Sequence, residues 1–328
     1  MKPIFAILLL AGLSLAIGLV AWFGFGAVAA VLTTGGWRLF WLVPFYMGCL
    51  VLDTVAWQSL LAPGAHRFGL LYFANWIESS VNTLLPVGDV GGDAVRGRFL
   101  IRYGVRGPEA VACIIVDKTL QAVTLVFYAL LGLGLMVLHM GNVPASSGVL
   151  MVALLLTSGI FIFYRLQHMG IFSLITRFIR ADSPTGRFTQ LANGAAAVDA
   201  AVLALYQAPR PLLKSLVWRM LFRLVMVGEV YLILDFLGHP LGLVECIILQ
   251  SLGLAVRAAA FLVPGALGIQ EGGYLVLGMA LGLDAEIGLA LSLAKRFREL
   301  LVGLPALVAW HVSETRHWGR RRDEQPSS

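Results

Sequence analysis

The chain has 328 residues, 59% of them hydrophobic, with 24 Lys and Arg against 18 Asp and Glu. Charged residues make up 13%, about half the share of roughly 25% found in soluble domains, and mean hydropathy is +0.85. So few charges cannot cover a water-soluble domain of this size, so the chain reads as an integral membrane protein. The net charge of +6 is the kind of excess that basic cytoplasmic loops produce. No basic stripe interleaved with aromatics accompanies it, which excludes a nucleic-acid partner.

Cys49, Cys113 and Cys246 each stand alone in an apolar run. That excludes a disulfide framework and a thiolate metal site. The six histidines are scattered, and neither His-Glu-x-x-His nor Gly-x-Ser-x-Gly occurs. Without a Walker motif there is no sign of ATP hydrolysis either. Nothing calls for a cofactor, and no enzyme is expected.

Residues 4–24 form an apolar run preceded by Lys2. The run is longer than a signal-peptide core of about 7–15 residues and reads as a retained first helix. Further spans are predicted at about 39–61, 110–137, 149–165, 212–236 and 287–310. Each suffices for about 30 Å of hydrocarbon at about 1.5 Å per residue. Segment 167–210 is too polar to span; its apolar positions recur at helical spacing, which suits a basic amphipathic pair on the cytoplasmic interface. Residues 319–328 read as a disordered tail.

Two stretches remain, about 68–103 and 243–283. The first breaks at Leu84-Leu85-Pro86-Val87-Gly88-Asp89-Val90-Gly91-Gly92-Asp93. The second breaks at Leu262-Val263-Pro264-Gly265-Ala266-Leu267-Gly268-Ile269-Gln270-Glu271-Gly272-Gly273. Proline and clustered glycine free backbone groups, which hydrocarbon tolerates only against protein or a water-filled cavity. Each stretch therefore reads as a re-entrant helical hairpin. One offset relates them: Pro86 and Pro264 (264 − 86 = 178), Asp93 and Glu271, Gly104 and Gly282, and Lys118 and Arg296. The chain thus reads as one transmembrane domain, residues 1–318. It holds two repeats at about 38–137 and 212–312.

Charge sets the orientation. Arg96, Arg98, Arg102 and Arg106 follow the first break, whereas only Asp284 and Glu286 flank Leu283 after the second. The positive-inside rule places both termini, the 96–106 loop and segment 167–210 in the cytoplasm. About six full spans satisfy this only if each hairpin returns to its side of origin, or crosses twice; the first then opens to the cytoplasm and the second to the outside, an inverted repeat.

Ionisable residues within spans are expensive and mark functional sites. A half-helix starting after Pro86 or Pro264 exposes free N–H groups and a positive dipole end. Inverted-repeat transporters hold anionic groups at such ends. Arg96, Lys118, Arg257 and Arg296 would add point charges suited to a phosphate head group. Alternatively, Asp93 and Glu271 serve as counter-charges for their own helix ends. Asp117 and Lys118 are adjacent, point apart, and need partners from elsewhere. Lys295 and Glu299 stand four apart and can pair on one helix face. Arg219 and Arg223 are expected to snorkel. The candidate substrate site comprises Asn82, Pro86, Gly92, Asp93, Arg96, Asp117, Lys118, Arg257, Pro264, Gly268, Glu271, Arg296 and Glu299.

Leu84-Leu85-Pro86, Gly92-Asp93-x-x-Arg96, Asp117-Lys118 and above all Phe261-Leu262-Val263-Pro264 running on to Gly272-Gly273 resemble the flippase-like membrane family. That family includes the transmembrane region of lysylphosphatidylglycerol synthases. The Gln270-Glu271-Gly272-Gly273 ending is similar to the branch associated with hopanoid biosynthesis. The resemblance implies an all-α polytopic protein of the bacterial inner membrane that handles or translocates a lipid with an anionic or polar head group. Proteins of lipid biosynthesis are the implied partners. The soluble aminoacyl-transferase domain of the synthases is not expected here. Two other readings stay open: a head-group transferase using Asp93 or Glu271 as base, and a non-catalytic scaffold of a biosynthetic complex.

Overall fold

The computed structural model describes residues 33–62, 67–85, 91–140, 186–260, 266 and 268–323. The regular elements among these are helical. The expected spans at 4–24 and 149–165, the first part of the interfacial segment, and Pro86 and Pro264 lie outside the described residues.

A 3-10 turn, Gly36–Trp41, leads into α1, Leu42–Gln58. The first half continues with α2, Phe68–Leu84, α3, Gly91–Arg102, and α4, Gly107–Met140. Next comes α5, Gly186–Tyr206. The second half consists of α6, Pro209–Val225, α7, Val227–Phe236, α8, Leu243–Ala259, α9, Ile269–Ala280, and α10, Ala285–Asp323. The expected span at 212–236 is thus two helices. The turn at Met226 ends α6 with its N–H donating to the Phe222 carbonyl, and its own carbonyl accepts the Glu229 N–H at 3.1 Å, a tightened i→i+3 bond that begins α7. Beside it, Gly228 lets Phe45 lie against the backbone: a Cβ there would meet Phe45 Cζ at 2.8 Å. Helix α10 continues to Asp323, past the expected start of the tail.

Both broken stretches are pairs of helices around a break, as their prolines and glycines demand. In each pair the first helix has 17 residues and the second 12. Helix α3 folds back along α2, and α9 along α8. The shorter helices end alike. Gly104 and Gly282 take φ of +97° and +84°, and the next residues, Val105 and Leu283, donate to the carbonyls of Leu100 and Gly278. This is the Schellman ending that favours glycine in a left-handed conformation.

The halves interlock. Helix α2 lies along α10, and α8 lies along α4. Small residues bring the backbones close at both crossings: Gly303 faces Leu84 and Ser80, and Gly132 faces Ser251. One apolar core gathers Trp57, Ile77, Leu100 and Val116. A second gathers Tyr128, Ile233, Leu249 and Tyr274. Outside, Phe127, Leu138, Val276 and Val308 are exposed. Thr33–Gln58 and Gly107–His139 are long and apolar enough to cross a bilayer.

Candidate functional site

Each half buries a network of charges in two layers. The deep layer of the first half is a closed ring drawn from five helices. Arg219 on α6 donates to Asp53 on α1 at 2.7 Å and to Asp117 on α4. Asp117 also receives Arg96 of α3 at 2.5 Å. Arg96 donates to Asn75 Oδ1 of α2 at 3.1 Å, and Asn75 Nδ2 returns to Asp53 at 2.9 Å. The Arg96 guanidinium lies 4.3 Å from the Trp57 ring centroid. Two carboxylates face two guanidiniums, and all are buried. Charges removed from water persist only with such compensation.

The second layer sits at the break. Lys118 donates to Glu78 at 3.3 Å and lies 3.0 Å from Asp93 Oδ2. Asn82 donates to Glu78 at 2.9 Å and accepts the Gly92 N–H at 2.8 Å. A Cβ on Gly92 would lie 2.3 Å from the Glu78 carbonyl oxygen, so glycine is what lets α3 begin against α2. Asp93 sits in the first turn of α3, where the helix dipole favours an acid. Its Oδ1 is buried without a hydrogen-bond partner.

The second half repeats the plan with other residues. In its deep layer, Lys295 donates to Glu229 at 2.7 Å and to Gln250 at 2.8 Å, and Arg298 donates to Glu229 at 2.6 Å. The Arg298 guanidinium lies 4.2 Å from the Tyr46 ring, and the Lys295 ammonium 5.6 Å from Tyr274. At the break, Arg257 donates to Gln270 at 2.9 Å and to Glu299 at 2.8 Å. Arg296 donates to Glu271 and Glu299, both at 3.0 Å. Glu271 begins α9 as Asp93 begins α3, and its Oε2 is likewise buried and unpaired. Gly268 caps α9 at φ +77°.

The described candidate residues therefore fall into two groups. Asn82, Gly92, Asp93, Arg96, Asp117 and Lys118 meet in the first half, and Arg257, Glu271, Arg296 and Glu299 in the second, where Gly268 caps α9. Asp117 and Lys118 do point apart, one to each layer. Three expectations need correction. Lys295 and Glu299 do not pair: Lys295 turns to the buried Glu229 of α7, and Glu299 accepts from Arg257 of α8 and from Arg296 of its own helix. Arg219 does not snorkel: it is 3% exposed, held by two carboxylates. Arg96 is fully enclosed, so it braces the first site from beneath instead of presenting a charge.

Asn75, Gln250 and Gln270 were not legible as site residues. A signal for two positions exists: Asn75 and Gln250, and likewise Asn82 and Arg257, are 175 apart (250 − 75 = 175). The second break holds three more residues than the first. An offset of 178 thus relates the chain after each break, and 175 the helices before it.

A sequence profile of the lysylphosphatidylglycerol synthase transmembrane region matches residues 9–306. The chain belongs to this family. No curated protein and no solved structure matches it. The lysylphosphatidylglycerol synthase transmembrane-region family joins the apolar exterior and the buried charges into one account, a membrane protein with a lipid-related function.

Proposed function

We propose that the protein translocates an amphipathic lipid between the leaflets of the bacterial inner membrane, without covalent chemistry. The carrying observation is where the buried networks open. The deep charges are nearly inaccessible, whereas the Lys118 and Arg257 side chains are 27% and 25% exposed. Both stand at the breaks, one in each half. A polar head group reaches these two cations while its chains remain against apolar helix faces. The matched hairpins, 17 and 12 residues in each half, support an internal repeat, and the bias of basic residues supports its inversion, with both termini cytoplasmic. Such an arrangement gives the lipid one site toward each leaflet. A hopanoid-related amphiphile is the substrate class we favour, on the Gln270-Glu271-Gly272-Gly273 ending.

The test is leaflet exchange. The purified protein in liposomes should accelerate exchange of a head-group-labelled anionic lipid, and Arg257→Gln and Lys118→Gln should each slow it. Equal exchange in protein-free liposomes, or a chemically altered lipid product, would overturn the reading.

A further inference from the structure

The two breaks differ in their balance of charge. At the second, the guanidiniums of Arg257 and Arg296 face the carboxylates of Glu271 and Glu299. At the first, Glu78 and Asp93 converge on Lys118, within 3.3 Å and 3.0 Å of its ammonium. Arg96 approaches Asp93 to 3.7 Å, but its shorter bond, 2.5 Å, goes to Asp117. The charges reaching Asp93 are Lys118 of α4, Glu78 of α2 and Arg96 of α3 itself. Asp53 of α1, Arg219 of α6 and Asp117 lie beyond Arg96, in the ring, and Arg223 of α6 donates to Thr124 and the Gln121 carbonyl of α4 without reaching Asp93 or Glu78. On α10, which flanks α2, Arg296 and Glu299 are engaged with the second break. The first break is therefore left with two acids and one base.

We propose that Asp93 binds one exchangeable proton beside Lys118, because Glu78 competes with it for the same ammonium, making the first break a proton-binding site. Asp93 is 6% exposed and its Oδ1 has no donor. A buried acceptor without a partner is costly, and a buried surplus charge more so. One proton on Asp93 removes the surplus charge. The step is protonation alone: a carboxylate takes a proton from water and releases it again, with no bond to carbon changed. The partly exposed Lys118 side provides the route. A metal ion fits less well, since among the described residues no three His, Cys, Asp or Glu gather to hold one, and the ammonium already fills the space between the acids. Glu271 also has an unpaired oxygen, but at that break two guanidiniums face two carboxylates, which leaves no surplus charge. On the translocase reading, this proton is the coupling ion.

Infrared difference spectra of the purified full chain in detergent, recorded between mildly acidic and mildly alkaline pH, report protonated carboxyl groups directly. The wild type should show a carboxyl band that disappears on raising the pH. Asp93→Asn and Glu78→Gln should each lose it, because the remaining acid is then balanced by Lys118. Glu271→Gln should keep it. Lys118→Met should retain the band at pH values where the wild type has lost it. A wild type without the band, a band surviving in both Asp93→Asn and Glu78→Gln, or an unchanged response in Lys118→Met would overturn the proposal. No lipid enters this measurement, so its failure is distinct from failure of lipid exchange.

Discussion

Asp117 and Lys118 are consecutive on α4 yet serve different layers of one site. Asp117 holds Arg96 and Arg219 in the fully buried ring, and Lys118 joins Glu78 to Asp93 at the break. Removing either charge should therefore have a different consequence. Asp117→Asn leaves two buried guanidiniums against Asp53 alone, and breaking a buried pair costs about 3–5 kcal/mol. Lys118→Gln, at a partly exposed position, should cost much less stability but slow lipid exchange more. Thermal unfolding in detergent and exchange in liposomes should rank the two variants oppositely.

The glycines at the two breaks make a sharper comparison. On Gly92 an added Cβ meets a backbone carbonyl, whereas on Gly272 it meets nothing within 4 Å. Gly92→Ala must push α3 away from α2, stretching the Gly92 to Asn82 bond and displacing Asp93. Such overpacking costs about 1–3 kcal/mol, and exchange should fall with stability. Gly272→Ala, in the first turn of α9, should be neutral or stabilise by up to about 1 kcal/mol. Equal melting temperatures for the two variants would contradict the close approach of α3 to α2.

The crossings between halves predict coupling. On Gly132, a Cβ would meet Ser251 Oγ at 1.7 Å and Ser251 Cβ at 2.8 Å. The hydroxyl can rotate aside, but the Cβ is fixed to α8. Gly132→Ala should destabilise by about 1–3 kcal/mol, and adding Ser251→Gly should recover part of the loss. A double-mutant cycle reads that recovery as a non-zero interaction energy. Strict additivity would mean that α4 and α8 do not meet there.

Much of this arrangement was legible before any coordinates. Pro and Gly clusters fix where a helix cannot continue, so the two broken stretches and the acid in the first turn after each break followed from local chemistry. The 178-residue offset carried Lys118 onto Arg296 and Asp93 onto Glu271, and each related pair does occupy the break layer. Partner choice was not legible. A base on a helix can turn to its own helix or to any of several neighbours, and burial decides. Lys295 turned to Glu229 on α7, which no spacing along the chain relates to it. Arg219 was misread for the same reason: its ring closes through four other helices, and only packing brings Asp53 and Asp117 together. Asn75 and Gln250 were silent because a single amide in an apolar helix resembles an ordinary polar substitution until the shorter offset is recognised.

The arrangement of the halves across the membrane has its own test. Arg106 and Asp284 are 178 apart, both exposed, and each lies two residues after a positive-φ glycine. A cysteine at either place avoids the strain it would meet at Gly104 or Gly282. Cys49, Cys113 and Cys246 are buried, at most 3% exposed, so they should stay silent toward an impermeant thiol reagent. If the repeats are inverted, intact cells with Asp284→Cys should label, and those with Arg106→Cys should label only after the membrane is opened. The charges argue for that order: Arg98 and Arg102 remain near the first position to hold it in the cytoplasm, while Glu286 alone stands near the second. Labelling of both positions from one side would place the two breaks on the same face. A lipid entering at Lys118 would then have no opposed site at Arg257 to reach.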